Sequence, residues 1–502
     1  MDILNTLKEY SIKKPSGAFL FYETESVTYG TLYSEVLRVA ESYSSAGFSK
    51  GDVCGLMAAS PVRFIVYFLA SLRTGVVCVL LNKKSGAEEL QKIVNISGIK
   101  AIITDSAFSN PAGVFCRDGS EINYFCPEII EESPDTVHPK LSPEDGAIFM
   151  LITSGTGGMQ KIVKKTLGAM AFQSEKLMPQ ISTAGSELRY FANVPMSHSY
   201  GIEFALYGAI INGARLYLSA FRFSEAAMKE IADNSITHVF TVPPFIINLV
   251  NYKKNTKTDF PALEMVVSAG MRLAPVISEG FFGEFGFNIS SVYGITELGN
   301  VSFKPSRKGE RECDIDNNVG APLEGNEILV LDDDGRPLPL GSPGRVIVKK
   351  AVPDGGYYEE TPSAALKKWS ADHKVFETDD IGYLDESGSL HLLGRSAAYI
   401  NIGGEKINSF DIENFLRETR LFKEVLVWGK DDGFLGERIA AAAVLENGVE
   451  VGEDEVREIC RKSLPLIKVP REINLFKDPF PKTATGKVRF DQVVKMCAAR
   501  DN

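Results

Sequence analysis

Cysteine is scarce and poorly placed for metal or disulfide chemistry. The seven residues, at positions 54, 78, 116, 126, 313, 460 and 497, form no CxxC pair and leave an odd count. Neither a zinc site nor a disulfide framework is indicated, and a reducing cytoplasm is the expected location. No apolar run approaches the ~18 residues that a membrane-spanning helix needs. The start, MDILNTLKEY, lacks a basic stretch followed by an apolar one, and the terminal RDN is no recognised address, so a soluble, unprocessed chain without stable membrane association is expected. Positive charge is in deficit: 54 Lys and Arg against 65 Asp and Glu give −11. Such a chain is repelled by phosphate backbones, which argues against general nucleic-acid binding. What is present is ordinary globular composition, 44% hydrophobic and 24% charged over 502 residues, enough for two or more domains with a substantial core. Small molecules and proteins are the expected partners. One stretch runs against the acidic average: residues 461–500 hold ten Lys or Arg and three acids. This is either a solvated surface or a landing site for phosphates or an acidic carrier protein.

Short apolar runs alternate with amphipathic stretches through the first two thirds, as expected of parallel strands joined by crossover helices. Strands are expected at Val53–Ala58, Val76–Leu81 and Ile99–Thr104, with helices at Pro61–Thr74 and Ala87–Ser97 between them. The rhythm returns at His238–Val242, the helical PPFIINLVNY, Leu263–Val267 and Ser290–Tyr293. In such a doubly wound α/β domain the loops after the strands carry the ligands. Beyond about residue 315, EILVLDDDGRPLPLGSPGRVIV reads as a small β subdomain. From about Ser396 a small α+β unit is expected: a helix near Ser409, strands at Val425–Trp428 and near Ile439, a helix from Glu453 and a strand near Ile473. The expected domains are therefore 1–395 and 396–502.

Four segments suggest chemistry. In AIFMLITSGTGGMQKIVKK the strand Ala147–Ile152 leads into Thr153, Ser154, Gly155, Thr156 and Gly158, and then Lys161. Glycines let backbone N–H groups converge on an oxyanion, hydroxyls add donors and the lysine adds a full charge, which suits polyphosphate. The usual P-loop is absent, because it needs Gly-Lys-Ser or Gly-Lys-Thr opening a helix; a plain turn after a buried strand is the alternative. VYGITELG, residues 292–299, places Tyr293 to stack on a purine, Gly294 for a tight turn, Thr296 to donate to an α-phosphate and Glu297 to hold Mg²⁺. A helix start capped by Thr296 is the alternative there. FETDDIGYLDESGSLHLLGR holds Asp380, a carboxylate with two acceptor oxygens, and ends in the guanidinium of Arg395, with an acidic hairpin turn at residues 385–388. Lys487, in PKTATGKVRF, reads in isolation as a solvated surface lysine and gains meaning only from its place after the other segments.

The first segment resembles the phosphate loop TSG[ST][ST]GxPKG of the adenylate-forming superfamily, which includes acyl-CoA synthetases, aryl-CoA ligases, luciferases and peptide-synthetase adenylation domains. Gly157, Gln160 and Ile162 depart from that pattern. Further matches follow in the family's order across nearly the whole chain. NVPMSHSYG, residues 193–201, is similar to the segment opening the helix beside the acyl pocket, with His198 as its functional residue. SAGMRLAP is similar to the adenine loop, with Ala269 and Gly270. YGITE matches YGxTE; DD with LLGR resembles TGD…GR, which implies that Asp380 meets the ribose hydroxyls and Arg395 a nearby phosphate or ribose; and PKTATGK matches PxxxxGK, which implies that Lys487, on a Gly-bearing turn, bridges the acid's carboxylate and the ATP α-phosphate.

The resemblance implies an ATP- and Mg²⁺-dependent acid:thiol ligase that forms an acyl adenylate, releases pyrophosphate and passes the acyl group to CoA or a carrier protein's phosphopantetheine. Lys487, Thr296, Glu297 and His198 are its implied catalytic residues, with Glu297 as the metal ligand. His198, Tyr200, Gly201, Phe204 and Gly270 line the implied acyl pocket, and Gly403 and Gly404 flank the thiol channel. Ala397 stands where the family commonly has a charged hinge. A non-amino acid is expected as substrate, since MSHSYG lacks an Asp to meet an α-amino group. Glu203 keeps an amine-bearing acid as a second reading, and a non-catalytic nucleotide binder is a third.

Overall fold

The computed structural model describes residues 2–500 apart from 84, 86, 106–115, 118–119, 128–146, 155–159, 183–186, 220–223, 272, 310–312, 314–316, 333, 359–369, 396–398, 403–404, 433–435 and 483–487. Contacts divide the chain into two units. One comprises residues 1–315, 319–327 and 348–376, and the other 316–318, 328–347 and 377–502.

The first unit is built as the apolar rhythm predicts. Pro61–Thr74 is a helix whose limits follow from local chemistry. The Ser60 hydroxyl caps it by accepting from the Arg63 N–H at 3.4 Å, Pro61 occupies its first turn, and Gly75 ends it in the left-handed region at φ 78°. Strands Val53–Leu56, Val77–Leu80 and Ala101–Ile103 lie together in a six-stranded sheet. A nine-stranded sheet holds Met265–Ser268, His238–Thr241, Arg189–Ala192 and Arg215–Leu218 side by side and parallel. Alternate residues of these strands enter two different cores. Phe191, Tyr217, Val239 and Val266 join the helices Glu225–Asp233, Pro243–Thr256 and Pro275–Phe285. Tyr190, Leu216, Phe240 and Val267 face Pro61–Thr74 and the segment 202–210. A sheet covered on both faces is the doubly wound arrangement, with its loops free at the carboxyl ends.

His238 is fully buried in this sheet, Nδ1 lying 2.9 Å from Thr237 Oγ1 and Nε2 2.9 Å from the Ile181 carbonyl. Burial lowers its pKa to about 4. The unfolded chain, near 6.5, then binds the proton first, so stability is full above that value and falls as pH drops from 6.5 toward 4. Urea unfolding should show about 2 kcal/mol lost between pH 7 and pH 5 through this group. His238→Gln should remove that part of the slope; an unchanged slope would refute the assignment.

Strands Asn326–Leu331, Gly344–Lys350, Val375–Leu384 and Leu390–Arg395 form the expected β subdomain as a four-stranded sheet. In the second unit, Phe422–Asp432, Gly436–Leu445 and Glu472–Phe476 pack one core against the helices Ser409–Glu418 and Glu453–Ser463. The Asn408 side chain caps the first of these helices through the Phe410 N–H and donates to the Leu393 carbonyl at 3.0 Å, joining the helix to the Leu390–Arg395 strand. No described helix is long and apolar enough to cross a membrane.

Candidate active site

Thr153 and Ser154 end a strand that is paired with the segment beginning at Gln160. Ala147–Ser154 pairs antiparallel with Gln160–Thr166, and the register sets Lys161 opposite Thr153 and Gln160 opposite Ser154. Gly155, Thr156 and Gly158 lie outside the described residues. The second strand, which the sequence pattern does not predict, buries Ile162, Val163 and Lys165. Lys161 Nζ stands 5.5 Å over the ring of Tyr357.

YGITE forms a hairpin rather than a helix start. Ser290–Ile295 pairs with Gly299–Lys304, and residues 296–298 make the turn, so Thr296 caps no helix. Gly294 is obligatory, because a Cβ there would lie 2.4 Å from the Gly299 carbonyl oxygen. Tyr293 is buried, while Thr296 and Glu297 are half-buried at the turn. The Tyr357 hydroxyl donates to Glu297 Oε1 at 2.7 Å and so fixes the carboxylate's orientation. Among the described residues no group of three His, Cys, Asp or Glu could hold a metal. Mg²⁺ does not require one, since it keeps waters and phosphate oxygens and takes one or two carboxylates. Glu297 therefore fits the group.

The NVPMSHSYG segment ends in a π-helix, Tyr200–Leu206, a rare form that is frequent at functional sites. The Tyr200 hydroxyl donates to the Val267 carbonyl at 2.8 Å, at the end of the neighbouring strand. Phe204 is fully buried, its ring edge-on to Tyr200 at 5.4 Å and to Phe240 at 5.2 Å. Gly201 is pressed against the main chain, where a Cβ would meet the Pro195 oxygen at 2.1 Å. His198 is half-buried at the start of this turn, its carbonyl accepting from the Ile202 N–H at 3.0 Å. Ala269 is buried and Gly270 exposed, at the carboxyl end of Met265–Ser268.

In the second unit Asp380 is buried, its backbone N–H donates to Thr378 Oγ1 at 3.1 Å, and it lies directly opposite Arg395 in the ladder. The two residues expected at the ribose are thus cross-strand neighbours, although they are fifteen positions apart. Gly403, Gly404 and Lys487 lie outside the described residues. Lys482 and Val488 form an isolated antiparallel bridge, and the Arg489 N–H donates to the Pro481 carbonyl at 2.7 Å.

Two family models match the chain. That for AMP-binding enzymes covers residues 8–358, and that for the AMP-binding enzyme C-terminal domain covers 411–487. The chain belongs to the AMP-binding enzyme family. It is 28% identical to an oxalate–CoA ligase of Arabidopsis thaliana, with 92% of each chain covered, and 25% identical to a 2-succinylbenzoate–CoA ligase of Bacillus subtilis, with 97% of each covered. Two solved structures share the fold. ATP-bound MatB of Rhodopseudomonas palustris has a TM-score of 0.84 at 22% identity with 98% of each chain covered. The o-succinylbenzoate CoA synthetase of Bacillus subtilis, holding its acyl-adenylate intermediate, has a TM-score of 0.83 at 23% identity with 97% of each covered.

In this member of the AMP-binding family, the YGITE turn rests on residues that the sequence motifs did not mark. Lys165 Nζ donates to the Thr296 carbonyl at 3.2 Å, Lys350 Nζ to the Leu298 carbonyl at 2.6 Å, and Gln173 Nε2 to the same carbonyl at 3.2 Å. Behind them lie two carboxylates. Lys165 pairs with Glu203 at 3.1 Å and with Asp354 at 3.1 Å, and Lys350 pairs with Asp354 at 3.1 Å. All four side chains are sealed from solvent. Burial acts to raise the Asp354 carboxyl, but Lys165 and Lys350 hold it below its ordinary range. Burial raises Glu203 against the pull of Lys165. Glu203 therefore pairs with a lysine of its own chain.

Proposed function

We propose that the protein is an ATP-dependent carboxylic acid:thiol ligase, forming an acyl adenylate with release of pyrophosphate and passing the acyl group to CoA or to a carrier protein's phosphopantetheine. The observation that carries this reading is the pairing of Glu297 with Tyr357 at a hairpin turn, beside Thr296, with Lys161 over the same Tyr357 ring. A carboxylate held in one orientation, a hydroxyl and an ammonium are the donor set that a metal-bound polyphosphate needs. Mg²⁺ held by Glu297 supplies charge neutralisation to the phosphates when bound.

In this reading the hairpin tip from Thr153 through Ser154, Gly155, Thr156 and Gly158 to Lys161 grips the departing pyrophosphate, and the Thr296 hydroxyl donates to the α-phosphate. Tyr293, Ala269 and Gly270 bound the adenine, and Asp380 with Arg395 holds the ribose. Lys487 bridges the acid's carboxylate and the α-phosphate for in-line attack, so that position and charge do most of the work. A domain of residues 396–502 turns about the segment at Ala397 between the two half-reactions, bringing Gly403 and Gly404 to the pantetheine arm. His198, Tyr200, Gly201, Phe204 and Gly270 shape the acyl pocket. With Glu203 occupied by Lys165, the substrate is an acid without an α-amino group.

ATP–pyrophosphate exchange over a panel of aryl, dicarboxylic and short- to medium-chain acids tests the first half-reaction. CoA or a holo carrier protein added to an exchange-positive mixture tests the second. Exchange with a non-amino acid and thioester with one of the two acceptors are the expected results. No exchange with any acid would leave a nucleotide-binding relative instead.

A further inference from the structure

Four ionisable side chains from four separate segments meet in the dark beneath a three-residue turn, and their arrangement is directional. Lys165 ends the return strand of the phosphate hairpin, Glu203 sits in the π-helix, Lys350 ends Gly344–Lys350, and Asp354 follows four residues later. Buried charges are costly unless paired, and replacing a buried ion pair by apolar residues of similar volume is often neutral or stabilising. Stability alone is therefore a weak reason for this cluster. Each lysine, however, spends one proton on a turn carbonyl, Lys165 on Thr296 and Lys350 on Leu298, on either side of Glu297.

We propose that the Lys165–Glu203–Asp354–Lys350 cluster is a positioning device that locks the Thr296–Glu297 turn to the phosphate hairpin and to the acyl segment. The proposal rests on the functional reading above. Lys165 is four residues along the strand from Lys161, so one strand carries both the group over Tyr357 and the group holding the Thr296 carbonyl. Asp354 is the hub, a carboxylate shared by the two ammonium groups at equal 3.1 Å distances. Because the set is two cations and two anions, any one charge lost leaves an uncompensated neighbour. Any shift of the π-helix that moves Glu203 pulls on the lysine that fixes Thr296. The residues act through the turn and touch neither the nucleotide nor the acid.

The test separates holding the fold from holding the turn. Lys165→Met should lower the thermal midpoint and cut the affinity for Mg²⁺ with a non-hydrolysable ATP analogue, measured by calorimetry. Lys165→Met/Glu203→Gln and Lys350→Met/Asp354→Asn each leave one cation paired with one anion, so their thermal midpoints should return toward the wild type. Each still lacks a donor to one turn carbonyl, so analogue affinity should remain at least about tenfold down, together with a raised Mg²⁺ requirement in the exchange assay. A neutral double variant with both wild-type stability and wild-type affinity overturns the proposal, and so does the failure of both double variants to fold, which would make the cluster a core element. Wild-type protein that binds the analogue but exchanges with no acid would sink the ligase reading alone, because the affinity comparison still decides the role of the cluster.

Discussion

Lys487→Ala is expected to reduce ATP–pyrophosphate exchange by about 10²–10³-fold, the loss typical of removing one preorganised donor from a developing charge. The acid and the nucleotide are both anions, and attack requires a carboxylate oxygen within contact distance of the α-phosphorus. Without a cation between them, their mutual repulsion is felt most where they come closest, in the transition state. The loss should therefore fall on kcat, with the KM for ATP changed little, as for a contact made only there. Thioester formation from a preformed acyl adenylate should proceed at close to the wild-type rate, since the second step joins no two anions. Rapid-quench measurement of the two half-reactions distinguishes these outcomes. Equal impairment of both steps would mean that Lys487 supports the fold of its domain instead.

Glu297→Gln should have an effect of comparable size, about 10²-fold or more, because the amide keeps the shape but loses the charge that favours a hard cation. The predicted signature is metal dependence. Saturation should demand much higher Mg²⁺, and added Mg²⁺ should restore part of the rate. Tyr357 bears on the same result. Its hydroxyl donates to Oε1 at 2.7 Å, so Tyr357→Phe frees the carboxylate to rotate and should cost about tenfold, the order of one lost hydrogen bond to a charged group. A Glu297→Gln enzyme with an unaltered Mg²⁺ titration would place the metal elsewhere.

The elements that position this chemistry could largely be read from local pattern. Pro61–Thr74 was legible as an amphipathic stretch between two apolar runs, and structure and expectation agree on both ends. Met265–Ser268 and Ser290–Ile295 were visible because they are runs of apolar or small residues followed by glycine-bearing loops. The return strand Gln160–Thr166 was not, because three of its seven residues are lysines. Lys165 counts as polar in any pattern, and its burial depends on Asp354, 189 positions away. Such a pairing belongs to tertiary structure and leaves no period in the sequence. The same holds for Tyr357, which lies in no recognised motif yet orients Glu297. The π-helix at 200–206 was legible only as helix, since the extra residue in its turn answers to packing around Gly201 and Tyr200. The helix cap imagined for Thr296 failed for a related reason. Gly294 and Gly299 can support either a helix start or a reversal, and the ladder partner that decides between them, Gly299–Lys304, only then follows in the chain.

If Gly201 walls the acyl pocket as proposed, its crowding restricts how this scaffold could be retailored for other acids. With the Pro195 oxygen 2.1 Å from where a methyl group would begin, that wall cannot be thickened by even the smallest side chain without moving main chain. In the proposed reading, redesign of the chamber therefore works through its other residues: His198, Phe204, Gly270 and Tyr200, whose hydroxyl donates to the Val267 carbonyl. Libraries that randomise position 201 would be spent on misfolded protein.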